Sequence, residues 1–150
     1  MTETARSRRV PLRRKLKVRV YYEDTDFSGF VYHASYLKFF ERARTEMLRD
    51  LGIQQGKPPC GATTPSYFVV SRMTLDYLRP AHMDDVLEIE TIVAEARGAS
   101  LLLEQVALRA GAALVRAQVR IGLVRDGKAI RFPKDVLTAF NTGPARQAAL

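Results

Sequence analysis

The predicted fold depends on the segment SYLKFFERARTEMLRDLG, residues 35–52, because it combines a helical period with a broad apolar face. At about 100° per residue, one face of this helix collects Tyr36, Phe39, Phe40, Ala43, Met47 and Leu51, flanked by Leu37 and Leu48. The opposite face carries Lys38, Arg42, Thr45 and Arg49. Ser35 is the predicted N-cap, and Gly52 is predicted at the C′ position. An apolar face this wide predicts a helix that a sheet wraps around.

One charged residue falls inside the apolar arc of this helix. Arg44 lies there, and we expect its aliphatic stem to pack while its guanidinium binds a carboxylate. A structural role is therefore favoured over contact with a ligand.

Five segments have the composition of strands, one before the helix and four after it: residues 15–22, 66–78, 85–96, 99–110 and 112–125. The last alternates most regularly, with one apolar face: Val115, Ala117, Val119, Ile121 and Leu123. Asp126-Gly127 is a predicted hairpin turn, and a short segment, residues 129–132, follows it. Pro133 then suits the N1 position of a final helix over residues 134–140. This order predicts an α+β fold, an antiparallel sheet of about five strands wrapped round one long central helix.

Length and composition indicate one ordinary globular domain. A chain of 150 residues buries roughly two thirds of its unfolded surface. Because Cys60 is the only cysteine and the N-terminus has no apolar signal segment, we expect a cytoplasmic protein without disulfides. No apolar run reaches the roughly 20 residues of a membrane-spanning helix. No phosphate-binding loop, dinucleotide glycine pattern or zinc spacing is present, so we expect no cofactor and no metal.

The net charge of +8 is concentrated at the N-terminus. Residues 1–17 contain seven basic side chains and one acid, a balance of +6, whereas the rest has 17 basic and 15 acidic side chains. We interpret residues 1–14 as a basic, disordered tail, residues 15–142 as the single domain and residues 143–150 as a flexible C-terminus. Attraction of the tail to an acidic carrier protein, a membrane surface or nucleic acid stays open, and nucleic acid is the partner we least expect.

The densest group of reactive side chains lies just before the central helix: Tyr22, Glu23, Asp24, Asp26, Tyr32 and His33. A helix N-terminus offers unpaired N–H groups that favour a developing oxyanion. A carboxylate beside it could attack a carbonyl carbon or activate a water molecule, which indicates a hydrolytic site without naming its substrate. Alternatively, Asp24 and Asp26 make Asx-turns and His33 is structural, and spacing alone favours that interpretation.

A longer stretch carries a family resemblance. The run VRVYYEDTDFSGFVYHASYLKFFERARTEML, residues 18–48, resembles the 4-hydroxybenzoyl-CoA thioesterase family and, within it, the YbgC-like (Tol-Pal-associated) acyl-CoA thioesterases. The matching motif combines T-D, a glycine three residues later, V-Y-H and a helix that begins Y-L-K-F-F-E-R-A-R. A weaker similarity continues to the end of the last long strand.

The resemblance implies a hot-dog fold assembled as a homo-oligomer, either a dimer or a dimer of dimers. It implies hydrolysis of an acyl-CoA that lies in a groove between subunits. Asp26 matches the catalytic general base or nucleophile, and His33 matches a histidine implicated in the YbgC-like branch. The backbone N–H of Tyr32 or His33 would polarise the thioester carbonyl. An acyl carrier protein is a second possible carrier of the thioester.

Two residues depart from the family pattern. Phe30 replaces a small β-branched residue and is expected to reshape the acyl pocket, and Ser35 replaces an asparagine that is an equally good cap. The candidate substrate-binding residues are Tyr22 and Phe30, together with four cations that could bind the CoA phosphates. For each of these cations a solvated surface position is the favoured interpretation: Arg72, Arg79, Lys128 and Arg131.

Two rival functions are kept open. The first is a hot-dog dehydratase, which would pair a histidine with a carboxylate on the central helix. The T-D-x-x-G passage argues against a dehydratase. Glu41, at the edge of the apolar arc, is a second candidate carboxylate because a related hot-dog branch uses a helix glutamate, but we favour it as the structural partner of an arginine. The second is a non-catalytic protein that binds acyl-CoA or acyl carrier protein, against which the intact Asp26 and His33 pair argues.

Overall fold

The computed structural model describes residues 10–55 and 64–143. Its strands and helices follow the predicted order: β1 (Arg13–Arg19), a short 3-10 helix (Tyr22–Asp24), α1 (Ser35–Asp50), β2 (Tyr67–Tyr77), β3 (Val86–Arg97), β4 (Ser100–Arg109), β5 (Ala112–Arg125), β6 (Lys128–Ile130) and α2 (Lys134–Thr142). The α+β class predicted from the sequence is confirmed.

All strand pairs in the sheet are antiparallel, in the order β1-β3-β4-β5-β2. The sheet has six strands instead of about five, because β6 pairs with the end of β5. Asp126 (φ 50°) and Gly127 (φ 73°) are both left-handed, the conformation of a type I′ hairpin turn. β1 and β2 are the edge strands.

The core forms where α1 packs against the inner face of the sheet. All six apolar residues predicted for the helix face are buried, and so are the five alternating residues of β5. Leu48 is buried as well, whereas Leu37 is exposed. Phe39 and Phe40 are fully buried, and each contributes on the order of 2–3 kcal/mol by removal from water.

A polar network crosses this core between α1 and the sheet. Arg44, only 7% exposed, donates to Gln105 Oε1 over 2.9 Å and pairs with Glu41. Gln105 Nε2 in turn donates to Phe40 O (3.0 Å) and to Thr91 Oγ1 (2.9 Å). Glu41 is therefore the carboxylate predicted to bind Arg44, and Arg44 is the arginine predicted to bind Glu41.

Three local predictions were wrong by a few residues. The first strand ends at Arg19 instead of residue 22, because the carboxylate of Asp24 accepts the N–H of Tyr21 and turns the chain into the 3-10 helix. Ser35 is the first helical residue and not the N-cap, since its hydroxyl donates to Asp24 O over 3.1 Å. Pro133 is the N-cap of α2 and not its first residue.

The predicted start of the domain at residue 15 differs from the start of the first strand in the structure. β1 begins at Arg13, inside the predicted tail (residues 1–14), and Arg13 forms an ion pair with Glu90 at 3.1 Å. Residues 1–9 and 144–150 lie outside the described residues, as does Cys60, so the predicted disorder of both termini stays a prediction. No helix in the described part of the chain has the length and apolar character needed to cross a membrane.

Candidate active site

The loop between β1 and α1 contains a tight turn around Asp26. The Asp26 N–H donates to Phe30 O over 3.1 Å, and the Gly29 N–H donates to Asp26 O over 3.0 Å. Gly29 has φ 83°, a conformation that glycine adopts without strain. An isolated bridge between Thr25 and Val31 closes the base of the turn. The turn thus projects the side chain of Asp26 into solvent.

The carboxylate of Asp26 is bound on one side and free on the other. Oδ1 accepts the N–H of Ser28 at 2.8 Å and also the Ser28 hydroxyl. Within residues 10–55 and 64–143, Oδ2 accepts no hydrogen bond. The Ser28 hydroxyl, then the Ser28 N–H and the nearby His33 imidazole lower the pKa of Asp26. Asp26 therefore makes the Asx-turn of the structural interpretation and still presents an ionised, accessible oxygen.

Asp24, by contrast, has a structural role. It is buried, its Oδ2 accepts the Tyr21 N–H at 2.8 Å, and its backbone carbonyl accepts the hydroxyl of Ser35. The same carbonyl also accepts the N–H of Tyr32 at 2.8 Å. Asp24 thereby fastens the loop to the start of α1, and its carboxylate is not available to a substrate.

The two predicted oxyanion donors differ in their hydrogen bonds. The Tyr32 N–H is already donated to Asp24 O, whereas the His33 N–H has no acceptor among the described residues. Tyr77 fixes the next peptide group, because its hydroxyl donates to His33 O over 2.8 Å. The ring of Tyr77 also packs edge-on against Tyr36, at 5.9 Å between centroids. One backbone donor is therefore held in place and free at the entry to α1.

A second loop, residues 78–85 between β2 and β3, supports the Asp26 turn. Val31 N–H donates to Ala81 O at 2.8 Å, and Phe30 and His82 form a bridge with their rings edge-on at 5.0 Å. These contacts join residues about 50 positions apart, so no local pattern predicted them.

Asp85 and Arg109 hold this second loop. The carboxylate of Asp85 accepts the His82 N–H at 2.9 Å and the Arg109 guanidinium at 2.8 Å. Burial alone would raise the pKa of Asp85, but these hydrogen bonds and the charge of Arg109 outweigh it and lower the pKa. Arg109 also donates to Pro80 O. Asp85 and Arg109 therefore stabilise the loop that packs against Phe30, and the sequence did not predict these contacts.

The other predicted substrate-binding residues are widely spread. Tyr22 is exposed beside the Asp26 turn, and Arg79 follows β2 at the same end of the sheet. Arg72 alternates with inward-facing residues of β2, directly opposite Arg120 on the outer face. Lys128 and Arg131 lie at the other end, roughly 30 Å from that turn, judging from the length of β5. One protomer therefore does not bring the four cations together.

Residues 10–55 and 64–143 contain no cluster of potential metal ligands. No group of three or more histidine, cysteine, aspartate and glutamate residues is arranged there to hold a metal.

Comparison with known proteins identifies the family. Residues 28–116 match the model of the Thioesterase superfamily. "Acyl-CoA thioesterase YbgC" of Haemophilus influenzae is 47% identical over 126 residues, which are 83% of this chain and 91% of that relative. "Acyl-CoA thioester hydrolase YbgC" of Escherichia coli O6:H1 is 52% identical over 88 residues, 59% of this chain and 63% of that relative.

A solved structure supports the same assignment. The crystal structure of "Probable Thioesterase from Bartonella henselae" superposes with a TM-score of 0.76 at 41% identity, covering 81% of this chain and 100% of that chain. The predicted hot-dog fold is confirmed. The chain belongs to the Thioesterase superfamily.

Proposed function

We propose that this protein hydrolyses acyl-CoA thioesters to a free acid and CoA, with Asp26 as the catalytic carboxylate. Membership of the Thioesterase superfamily gives the reaction class, and the printed names of the YbgC relatives supply acyl-CoA as the substrate. One observation carries the assignment of residues. An exposed carboxylate with a free oxygen lies in the same loop as an unbonded N–H at a helix N-terminus.

The reaction needs a base and an oxyanion donor, and the loop supplies both. Asp26 Oδ2 takes a proton from water while the water oxygen attacks the thioester carbon. The His33 N–H, strengthened by the positive end of α1, stabilises the oxyanion that forms. When the C–S bond breaks, the thiolate takes the proton back from Asp26. A direct attack by Asp26, through a mixed anhydride that water then cleaves, uses the same groups.

We propose that the enzyme works as a homo-oligomer, either a dimer or a dimer of dimers. β2 is an edge strand with free backbone groups, and several of its apolar residues or neighbours are exposed: Tyr67, Val69, Val70, Tyr77 and Leu78. Such an edge favours pairing with another strand. A second copy would also bring Lys128 and Arg131, remote from Asp26 in one protomer, closer to a shared CoA groove.

The rival functions fit the geometry less well. A dehydratase would need a free carboxylate on the central helix, but Glu41 is bound to Arg44 and to the Thr45 hydroxyl. A protein that only binds acyl-CoA has no need of an ionised carboxylate beside an unbonded helix-end N–H. Thioester hydrolysis uses both features.

Release of free thiol from a panel of acyl-CoAs tests the proposal. The panel runs from short to long and from aliphatic to aromatic acyl groups, with an acyl carrier protein thioester as a separate arm. We expect Asp26→Asn to lower turnover by at least about 100-fold, because a general base contributes that much or more. Asp135→Asn, at an exposed aspartate in the first turn of α2, is the matched control and should retain turnover. Wild-type turnover by Asp26→Asn would refute the mechanism.

A further inference from the structure

Ser28 makes three contacts that together define the position of the Asp26 carboxylate. Its N–H and its hydroxyl both donate to Oδ1 of Asp26. Its hydroxyl oxygen also accepts the N–H of Phe30 over 3.2 Å. The Ser28 side chain therefore links the carboxylate to the backbone of the residue that closes the turn.

We propose that Ser28 is a positioning residue for the thioester hydrolysis assigned above: it holds Oδ1 and leaves Oδ2 as the one oxygen directed at the substrate. This inference depends on the proposed function, because it deepens the role of Asp26. The terminal torsion of an aspartate is otherwise broad, so a carboxylate in solvent samples many orientations. Two donors on a single oxygen restrict that rotation, and hydrogen bonds to an ionised acceptor are the stronger kind.

The same contacts affect the acidity of Asp26. The Ser28 hydroxyl is the largest cause of the lowered pKa, ahead of the Ser28 N–H and the His33 imidazole. Among the other acids of the segment, the carboxylate of Asp24 is turned toward the Tyr21 N–H. His82, on the facing loop, contacts Phe30. Ser28 is thus the neighbour whose removal changes Asp26 most.

Kinetics of Ser28→Ala and Ser28→Thr test this role. Loss of the hydroxyl should lower kcat roughly 10- to 100-fold with little change in KM, because a misplaced catalytic group costs rate more than binding. The acid limb of the profile of kcat/KM against pH should move to higher pH, since the pKa of Asp26 rises without the hydroxyl. Ser28→Thr keeps a hydroxyl and should restore both quantities.

Thr138→Ala is the matched control, because it removes a hydroxyl that donates to a backbone carbonyl, Lys134 O at 2.8 Å, in α2 and outside the Asp26 turn. It should leave kcat and the acid limb unchanged. Titration of the Asp26 carboxyl by NMR in wild type and Ser28→Ala gives a readout that needs no turnover, and the pKa should be higher in the variant.

Several outcomes would overturn the role of Ser28. Wild-type kcat and an unmoved acid limb in Ser28→Ala would do so, as would an unchanged titration of Asp26. A loss in Ser28→Ala as complete as that in Asp26→Asn would make the hydroxyl itself the reacting group. If Asp26→Asn retains activity, the proposed mechanism fails instead, whatever Ser28→Ala does.

Discussion

The polar network inside the core predicts that replacing both Arg44 and Gln105 destabilises the protein less than replacing Gln105 alone. Gln105 is fully buried, accepts from Arg44 and donates to Thr91 Oγ1 and Phe40 O. Replacement by leucine leaves the Arg44 guanidinium buried with one acceptor fewer and removes the donor to Thr91. Losing a hydrogen bond to a charged group costs about 1.5–3 kcal/mol, and an unsatisfied hydroxyl adds about 1 kcal/mol. Gln105→Leu should therefore destabilise the protein by about 2.5–4 kcal/mol.

Arg44→Met leaves a different defect. Gln105 Oε1 loses its donor, while Glu41 is exposed enough for water to replace the arginine. We expect a cost of about 1–3 kcal/mol. The double variant removes both members of the pair and leaves an apolar contact in a buried place, so it should cost less than Gln105→Leu alone.

Urea unfolding of the four proteins measures this cycle. The sum of the two single changes should exceed the change in the double variant by about 2 kcal/mol, a coupling typical of residues in one network. In thermal unfolding each kcal/mol corresponds to about 2–4 °C in a domain of this size. If the single effects simply add, Arg44 and Gln105 are not energetically coupled, and the reasoning is wrong.

Three further predictions concern the loop and the tail. Phe30→Val should shift the acyl preference toward bulkier groups while Asp26 stays in place, since only main-chain atoms of Phe30 bond to Asp26; an unchanged substrate profile would show that Phe30 does not line the pocket. Because the pKa of Asp85 is lowered by folding, its stabilisation is present at neutral pH and is lost as the pH falls below about 4. Unfolding at a series of pH values should thus show Asp85→Asn less stable than wild type at pH 7, with the difference shrinking in acid. Deletion of residues 1–9 should change neither thiol release nor binding to DNA, anionic vesicles or acyl carrier protein, because the favoured interpretation of this basic segment is a solvated tail without a partner. The deletion stops there because β1 begins at Arg13.

The sequence predicted the elements whose period repeats over many residues. The burial of the α1 face and of alternate residues in β5 follows directly from the two periods. The local hydrogen bonds of Asp24 were not visible in any period, and they are the reason that β1 ends early and Ser35 enters the helix. β6 was too short to be distinguished from the loop that follows a hairpin turn.

The sequence predicted the site only as far as it is continuous in the chain. Asp26, Tyr32 and His33 were found because they lie within eight residues of one another before a helix. Ser28 was missed, although the spacing D-F-S-G contains a usable signal, since Asx-turns place a donor two residues after the aspartate. Arg109 and His82 gave none, because only tertiary pairing brings them to the turn.

The exposure of Asp26 has a consequence for the proposed assembly. In one protomer its carboxylate is open to solvent, where the attraction between an oxyanion and a backbone N–H is strongly screened. Oxyanion stabilisation is far stronger where water is excluded. The loops already hold the turn through Ser28, His82 and Arg109, so rigidity is not what the isolated protomer lacks. The isolated protomer leaves Asp26 exposed to water, and the bound acyl chain together with a second copy at the β2 edge would exclude that water. The oligomer proposed here would therefore complete the catalytic environment as well as bury an apolar edge.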